Sequence, residues 1–290
     1  MTLLIEPTHS LTARPQVAQT PVVNLYHVAY SEETFAERPD GFHVLDNRAN
    51  ERPDWYELWP IRRFLMNTAL DENAYYGFFS PKFELKTELN AARVKEFVAN
   101  DEYKSDAYLF CAQPDIGMFF RNIFLGGGLL YPGNLEATQA FVTAIGQPTN
   151  LTALVMDSST TIFSNFVVAR PAYWRLWLEI SDRLFVIGEH PGNGNLTAAL
   201  NTPTTYRGGV HRKVFVAEGV ASLICTTFDF KVKAYDPFAV PWFSAFREFR
   251  NEAITADALK TAYRATGRVQ YMHEFNRLTE SVFDQLNQRH

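Results

Sequence analysis

Apolar positions along this chain fall into two kinds of run. Short blocks rich in β-branched and aromatic residues, VVNLYHVA at 22–29, YYGFF at 75–79, the block at 107–112 and SNFVVA at 164–169, have the length and composition of buried strands. Between and after them, apolar residues recur every three or four positions over 55–68, 90–99, 116–125, 135–145, 172–185 and 213–225, a period that predicts helices. Asp54 is placed to cap the first of these, with Trp55, Leu58, Trp59, Phe64 and Leu65 on its buried side. Strands separated by helices predict an α/β protein whose twisted, mostly parallel sheet is covered on both faces.

The same pattern suggests an organisation. Residues 1–20, rich in Thr, Pro and Gln and without a sustained period, read as a loose leader. Residues 21–240 form the α/β domain, and 241–290, with amphipathic stretches at 256–265 and 271–286, form a C-terminal helical extension. The polar stretch 31–55, broken by Pro39, Gly41 and Pro53, is long enough to be a functional loop, and the glycine-rich stretch 188–209 reads as a mobile one. Gly126, Gly127 and Gly128 have neither phosphate-loop nor dinucleotide-loop spacing, so they are expected to form a structural turn.

Composition narrows the function. The 290 residues are 47% hydrophobic and 20% charged, ordinary values for a globular protein. The 27 basic and 32 acidic residues give a net charge of −5 without long blocks of either sign, which argues against nucleic-acid binding. Cys111 and Cys225 sit in apolar runs and are expected to be core thiols. Seven scattered histidines form no metal-binding motif, and His27, inside a strand, is expected to be a satisfied core residue. No apolar run approaches the ~20 residues of a membrane span and no signal peptide is visible, so the expected compartment is the cytoplasm, with peripheral membrane association left open.

In open α/β sheets ligands bind beyond the carboxyl ends of the strands. Tyr30, Ser31, the Ser80-Pro81-Lys82 turn, the segment 113–115 and Arg170 follow the expected strands, and their polar, partly cationic character suits an anionic small molecule. Taken alone, Ser80-Pro81-Lys82 reads rather as a plain turn with Lys82 a solvated side chain. His211, Arg212 and Lys213 form a basic triplet that could hold a diphosphate or could simply begin a helix. Asp157, ahead of the strand at 164–169, could be a general base for a hydroxyl or a turn residue.

Four stretches carry a family resemblance: DNRANERPDWYELWPIRRFL (46–65), YYGFFSPKF (75–83), TTIFSNFVVARPAYWRLWLEISDRLF (160–185) and HRKVFVAEGVASLI (211–224). In this order they resemble bacterial glycosyltransferase-like proteins of surface-polysaccharide synthesis, over about residues 22 to 235. The resemblance implies the A-type nucleotide-sugar transferase fold, a mixed sheet with a Rossmann-like nucleotide half. It further implies a nucleoside-diphosphate sugar donor and a saccharide or other hydroxyl acceptor. Tyr30, Ser31 and Asp46 would then lie near the nucleotide, Lys82, Arg170 and the 211–213 triplet near the diphosphate, and Asp157 would be the base. That fold usually places an Asp-any-Asp metal pair where this chain has Ser80-Pro81-Lys82. The expectation is therefore a metal-independent transferase without a further cofactor, or an inert binding or assembly protein that retains the fold.

Overall fold

The computed structural model describes residues 21–288 apart from 191 and 193. The expected leader at 1–20 lies outside the described residues. Six strands form one open sheet: β1 (Val22–Ala29), β2 (His43–Asp46), β3 (Ala74–Phe79), β4 (Ala107–Leu109), β5 (Val167–Ala169) and β6 (Val232–Ala234), in the order β2-β1-β3-β5-β4-β6. β2, β1, β3, β4 and β6 share one direction; β5 runs antiparallel to both its neighbours. The protein is thus an α/β protein with a mostly parallel sheet.

The central strand explains the layering. All six residues of β3 are buried, and successive side chains alternate between the two faces. Phe78 packs with Phe64 of α2 (Leu58–Asn67) and Trp174 of α8 (Pro171–Glu189), whose indole nitrogen donates to the Tyr76 carbonyl at 2.9 Å. Phe79 packs on the other face against Phe83 of α3 (Phe83–Thr87), while Tyr75 meets Tyr108, which packs on Phe97 of α4 (Ala91–Ala99). Gly77 lets β5 approach, because a Cβ there would lie 2.8 Å from a methyl of Val168.

The stretches expected to be loops contain more structure than the period reveals. The segment after β1 holds α1 (Glu32–Ala36), β2 and a 3-10 turn at Pro53–Trp55, and the stretch 188–209 holds α9 (Asn195–Leu200). Asp54 does not cap a helix: it lies in the 3-10 turn and accepts from Arg52 and Lys213, and Glu57 occupies the cap position of α2. The segment after β4 holds two helices, α5 (Pro114–Phe119) and α6 (Ile123–Leu130), followed by α7 (Asn134–Ala144). Gly126, Gly127 and Gly128 are within α6, not in a turn; Asn122 starts that helix by accepting from the backbone of Phe124 and Leu125, each at 2.9 Å. The glycines are permitted by packing: a Cβ on Gly126 would meet the Phe120 ring at 2.9 Å.

After α10 (Arg212–Thr227) and β6, the helices α11 (Arg250–Thr266) and α12 (Val269–Asn287) pack on each other, with left-handed Gly267 at the corner. They dock on α5. Lys260 of α11 is fully buried and donates to the carbonyls of Gly117 at 2.7 Å and Phe120 at 3.1 Å. Asp115 accepts from the backbone and hydroxyl of Ser244, and Phe119 stacks on Phe246. Cys111 and Cys225 are free and buried, and burial pushes both thiols up to about 12.

Candidate functional site

A cavity of about 570 Å³ opens beyond the carboxyl ends of β1, β3 and β4. Because β5 is reversed, the segment entering it, 162–165, reaches this same end and closes one side. The opposite wall comes from α6 and α10.

The backbone around the cavity is unusually strained. Among the described residues seven non-glycine residues have positive φ, and five of them, Asn50, Tyr56, Gln113, Ser164 and Asn165, line this cavity. Each such conformation costs on the order of 1–3 kcal/mol and concentrates where function requires a fixed geometry. The carboxamide oxygens of Asn47, Asn134 and Asn165 are buried without a partner among the described residues, and all three residues line the same space. Buried acceptors left unpaired cost free energy unless a ligand supplies a donor.

Charged groups also line the cavity. Lys82 follows β3; Lys86, one turn later on α3, donates to the Ser164 hydroxyl at 2.8 Å. Glu57, at the start of α2, and Glu218, on α10, also line it, and neither forms an ion pair among the described residues. Burial raises the Glu57 carboxyl above its ordinary value, with Lys86 and Lys82 pulling the other way. The Glu218 carboxyl is raised to about 7, first by desolvation and then by the charge of Glu57, against the pull of Lys86. Beyond Glu218 lies Tyr131, raised by burial and by the charges of Tyr206 and Glu218. At the other end Tyr30 is raised by burial and by Glu57 and Glu33. The cavity therefore groups Tyr30, Glu57, Lys82, Lys86, Glu218 and Tyr131. It offers cations for an anionic group, and two carboxylates of raised proton affinity for proton transfer.

The residues singled out from sequence divide sharply. Tyr30 and Lys82 line the cavity. Ser31 does not; its hydroxyl caps α1 by accepting from the Thr34 backbone. Asp46 is held by Arg48 on the exposed side of β2, and that guanidinium keeps its carboxyl low, at about 2, while the next residue, Asn47, faces the cavity. Arg170 is at the opposite end of the sheet, because β5 is reversed: its backbone bonds to Asp106 and its guanidinium covers the Tyr75 ring. Asp157 pairs with Arg264 and bonds Ser159, joining the body of the protein to α11. His211 precedes α10 without a side-chain capping bond, Arg212 donates to the Pro132 carbonyl at 2.8 Å, and Lys213 is buried against Asp54 at 2.6 Å and over Trp55. Arg212 and Lys213 thus make structural contacts, while the Nδ1 of His211 is buried without a hydrogen-bond partner among the described residues. His27 is buried and bonds the Thr34 carbonyl at 2.9 Å.

Glu57, Lys86 and Glu218 were not anticipated. Two sequence signals pointed to them: Lys86 repeats Lys82 at helical spacing, and Glu218 is the lone charge in the apolar run VFVAEGVASLI. Among the described residues no group of three or more His, Cys, Asp or Glu could hold a metal ion, and no helix is long and apolar enough to cross a membrane. Comparison with family models, curated proteins and solved structures finds no match.

Proposed function

We propose that this protein is a glycosyltransferase that moves a sugar from a nucleoside-diphosphate sugar to a hydroxyl acceptor, the reaction implied by the family resemblance. The observation that carries the reading is the cavity beyond the strand ends. It combines two lysines, two carboxylates without ion-pair partners among the described residues, and five left-handed backbone positions. A mixed sheet with one reversed inner strand accords with the architecture the resemblance implies.

In this reading Tyr30 and Asn47 face the nucleoside, and Lys82 and Lys86 face the diphosphate. Glu218 takes the acceptor's hydroxyl proton. The freed oxygen forms a bond to the anomeric carbon, while the bond from that carbon to the diphosphate breaks and its electron pair leaves with the nucleoside diphosphate. The lysines stabilise the charge that develops there. A base of raised affinity is suited to this step near neutral pH. Ser80-Pro81-Lys82 does not fit a divalent ion, since an ammonium stands in place of the acidic pair and opposes a cation, so the lysines neutralise the diphosphate in its stead. A cytoplasmic location belongs to the same proposal.

The test is release of free nucleoside diphosphate from a panel of nucleotide sugars, with hydroxyl acceptors and with chelator present. Glu218→Gln should lower turnover ~10²-fold or more while nucleotide binding persists. Binding without release from any acceptor would transfer support to an inert binding protein, the reading that the lost acidic pair favours. Absence of nucleotide binding would remove both.

A further inference from the structure

The cavity changes character along α10. Ser222, behind the lining, bonds the backbone of Ile162, which lines the cavity; one turn earlier on the helix Glu218 and Gly219 line it, and one turn earlier again Val214 and Phe215. Phe215 stacks on Tyr131 with ring centroids 4.4 Å apart, and Tyr206 packs on both. Leu130 and Val210 complete this end. It is an apolar collar joined to the charged end at Glu218, whose charge reaches Tyr131.

The collar does not stop at the cavity. Leu130 and Tyr206 are each 50% exposed, and the neighbouring Leu129 is 67% exposed, so the apolar surface continues from the lining to the outside. Water-facing apolar side chains occur singly on most proteins; a run continuous with a cavity marks a surface that a ligand covers. A soluble saccharide would cover the cavity and leave this outer strip in water.

Resting on the glycosyltransferase reading, we infer that the acceptor is an amphiphile. Its hydroxyl-bearing head meets Glu218, and its hydrocarbon portion lies on Tyr131, Phe215 and Tyr206 and leaves over Leu130. The charged end between Tyr30 and Lys86 takes the donor, so the two substrates meet at Glu218 from opposite sides.

Alkyl glucosides carrying methyl, butyl or octyl chains, held below their micelle concentrations, serve as probes in calorimetric titrations of the full chain. Each methylene that leaves water for the collar strengthens binding about fourfold, so butyl should exceed methyl by tenfold or more. Leu130→Asn and Tyr206→Asn should remove most of that gain. Tyr103→Asn, at an exposed aromatic position away from the cavity, should keep it. A nucleoside diphosphate titrated separately should bind all three variants alike. Equal affinity for methyl and octyl glucosides, or equal losses in all three variants, would overturn the amphiphile. Chain-length dependence without any nucleotide binding would keep the apolar subsite and sink the transferase reading instead.

Discussion

Replacing Glu218 by glutamine removes a carboxylate that the fold tolerates poorly, and the consequence is a change in the pH dependence of stability. The side chain keeps its shape, and the solvent it meets is that of the cavity. Its proton affinity rises from the ordinary 4.5 to about 7 in the folded protein, because ionisation there forgoes water and faces Glu57. At about 1.4 kcal/mol per pH unit, ionised Glu218 destabilises the fold by about 3 kcal/mol relative to the unfolded chain. The sign follows from proton counting: between pH 4.5 and 7 the folded state holds the proton and the unfolded state does not, so stability falls as pH rises through this window. Glutamine abolishes that dependence, and by removing a neighbouring charge it also relieves Glu57. Denaturant melts of both proteins from pH 4 to 8 should coincide near pH 4 and diverge to about 3 kcal/mol in favour of the variant above pH 7. A variant whose stability tracked the parent's at every pH would refute the argument that Glu218 is a desolvated, charge-opposed carboxylate.

Three further outcomes follow from the same geometry. Gly219→Ala gains about 1 kcal/mol of helix propensity but brings a Cβ within 2.8 Å of the Phe124 ring; overpacking should win, with a net loss of about 1–2 kcal/mol in chemical denaturation. Lys260→Met should flatten the stability profile between pH 8 and 10.5. Burial lowers this amine from 10.5 to about 8, so the unfolded state binds the extra proton and the parent gains stability as pH rises through that range. Asp157→Asn should loosen the docking of α11 through Arg264, detectable as faster amide exchange there, while leaving nucleotide affinity within about twofold.

The strong periods were legible. VVNLYHVA became β1 over the expected residues, and β3, α4, α7, α8 and α10 lie within a few residues of their sequence boundaries. Two short strands escaped for a physical reason: β2 and β6 have four and three residues, edge positions and no sustained apolar run. The glycines of α6 were read by propensity, whereas close packing on Phe120 and Leu135 decides their conformation. The site was harder to read because one strand is reversed. Assuming that every strand ends at the ligand put Arg170 in the cleft, but the reversal sends Arg170 away and brings Ser164 and Asn165 in. Asp157 and Lys213 show the other limit. Sequence displays their charges but not the partners, Arg264 and Asp54, that consume them.

The central claim is that the cavity beyond β1, β3 and β4 holds a nucleoside-diphosphate sugar through Lys82 and Lys86. Its most direct test is the melting temperature of the parent and of a Lys82→Met, Lys86→Met double variant against a panel of nucleotides and nucleotide sugars, with chelator present. The account predicts a rise with at least one nucleoside-diphosphate sugar for the parent, reduced or lost in the folded variant. No rise with any member of the panel, or an equal rise in both proteins, would contradict it.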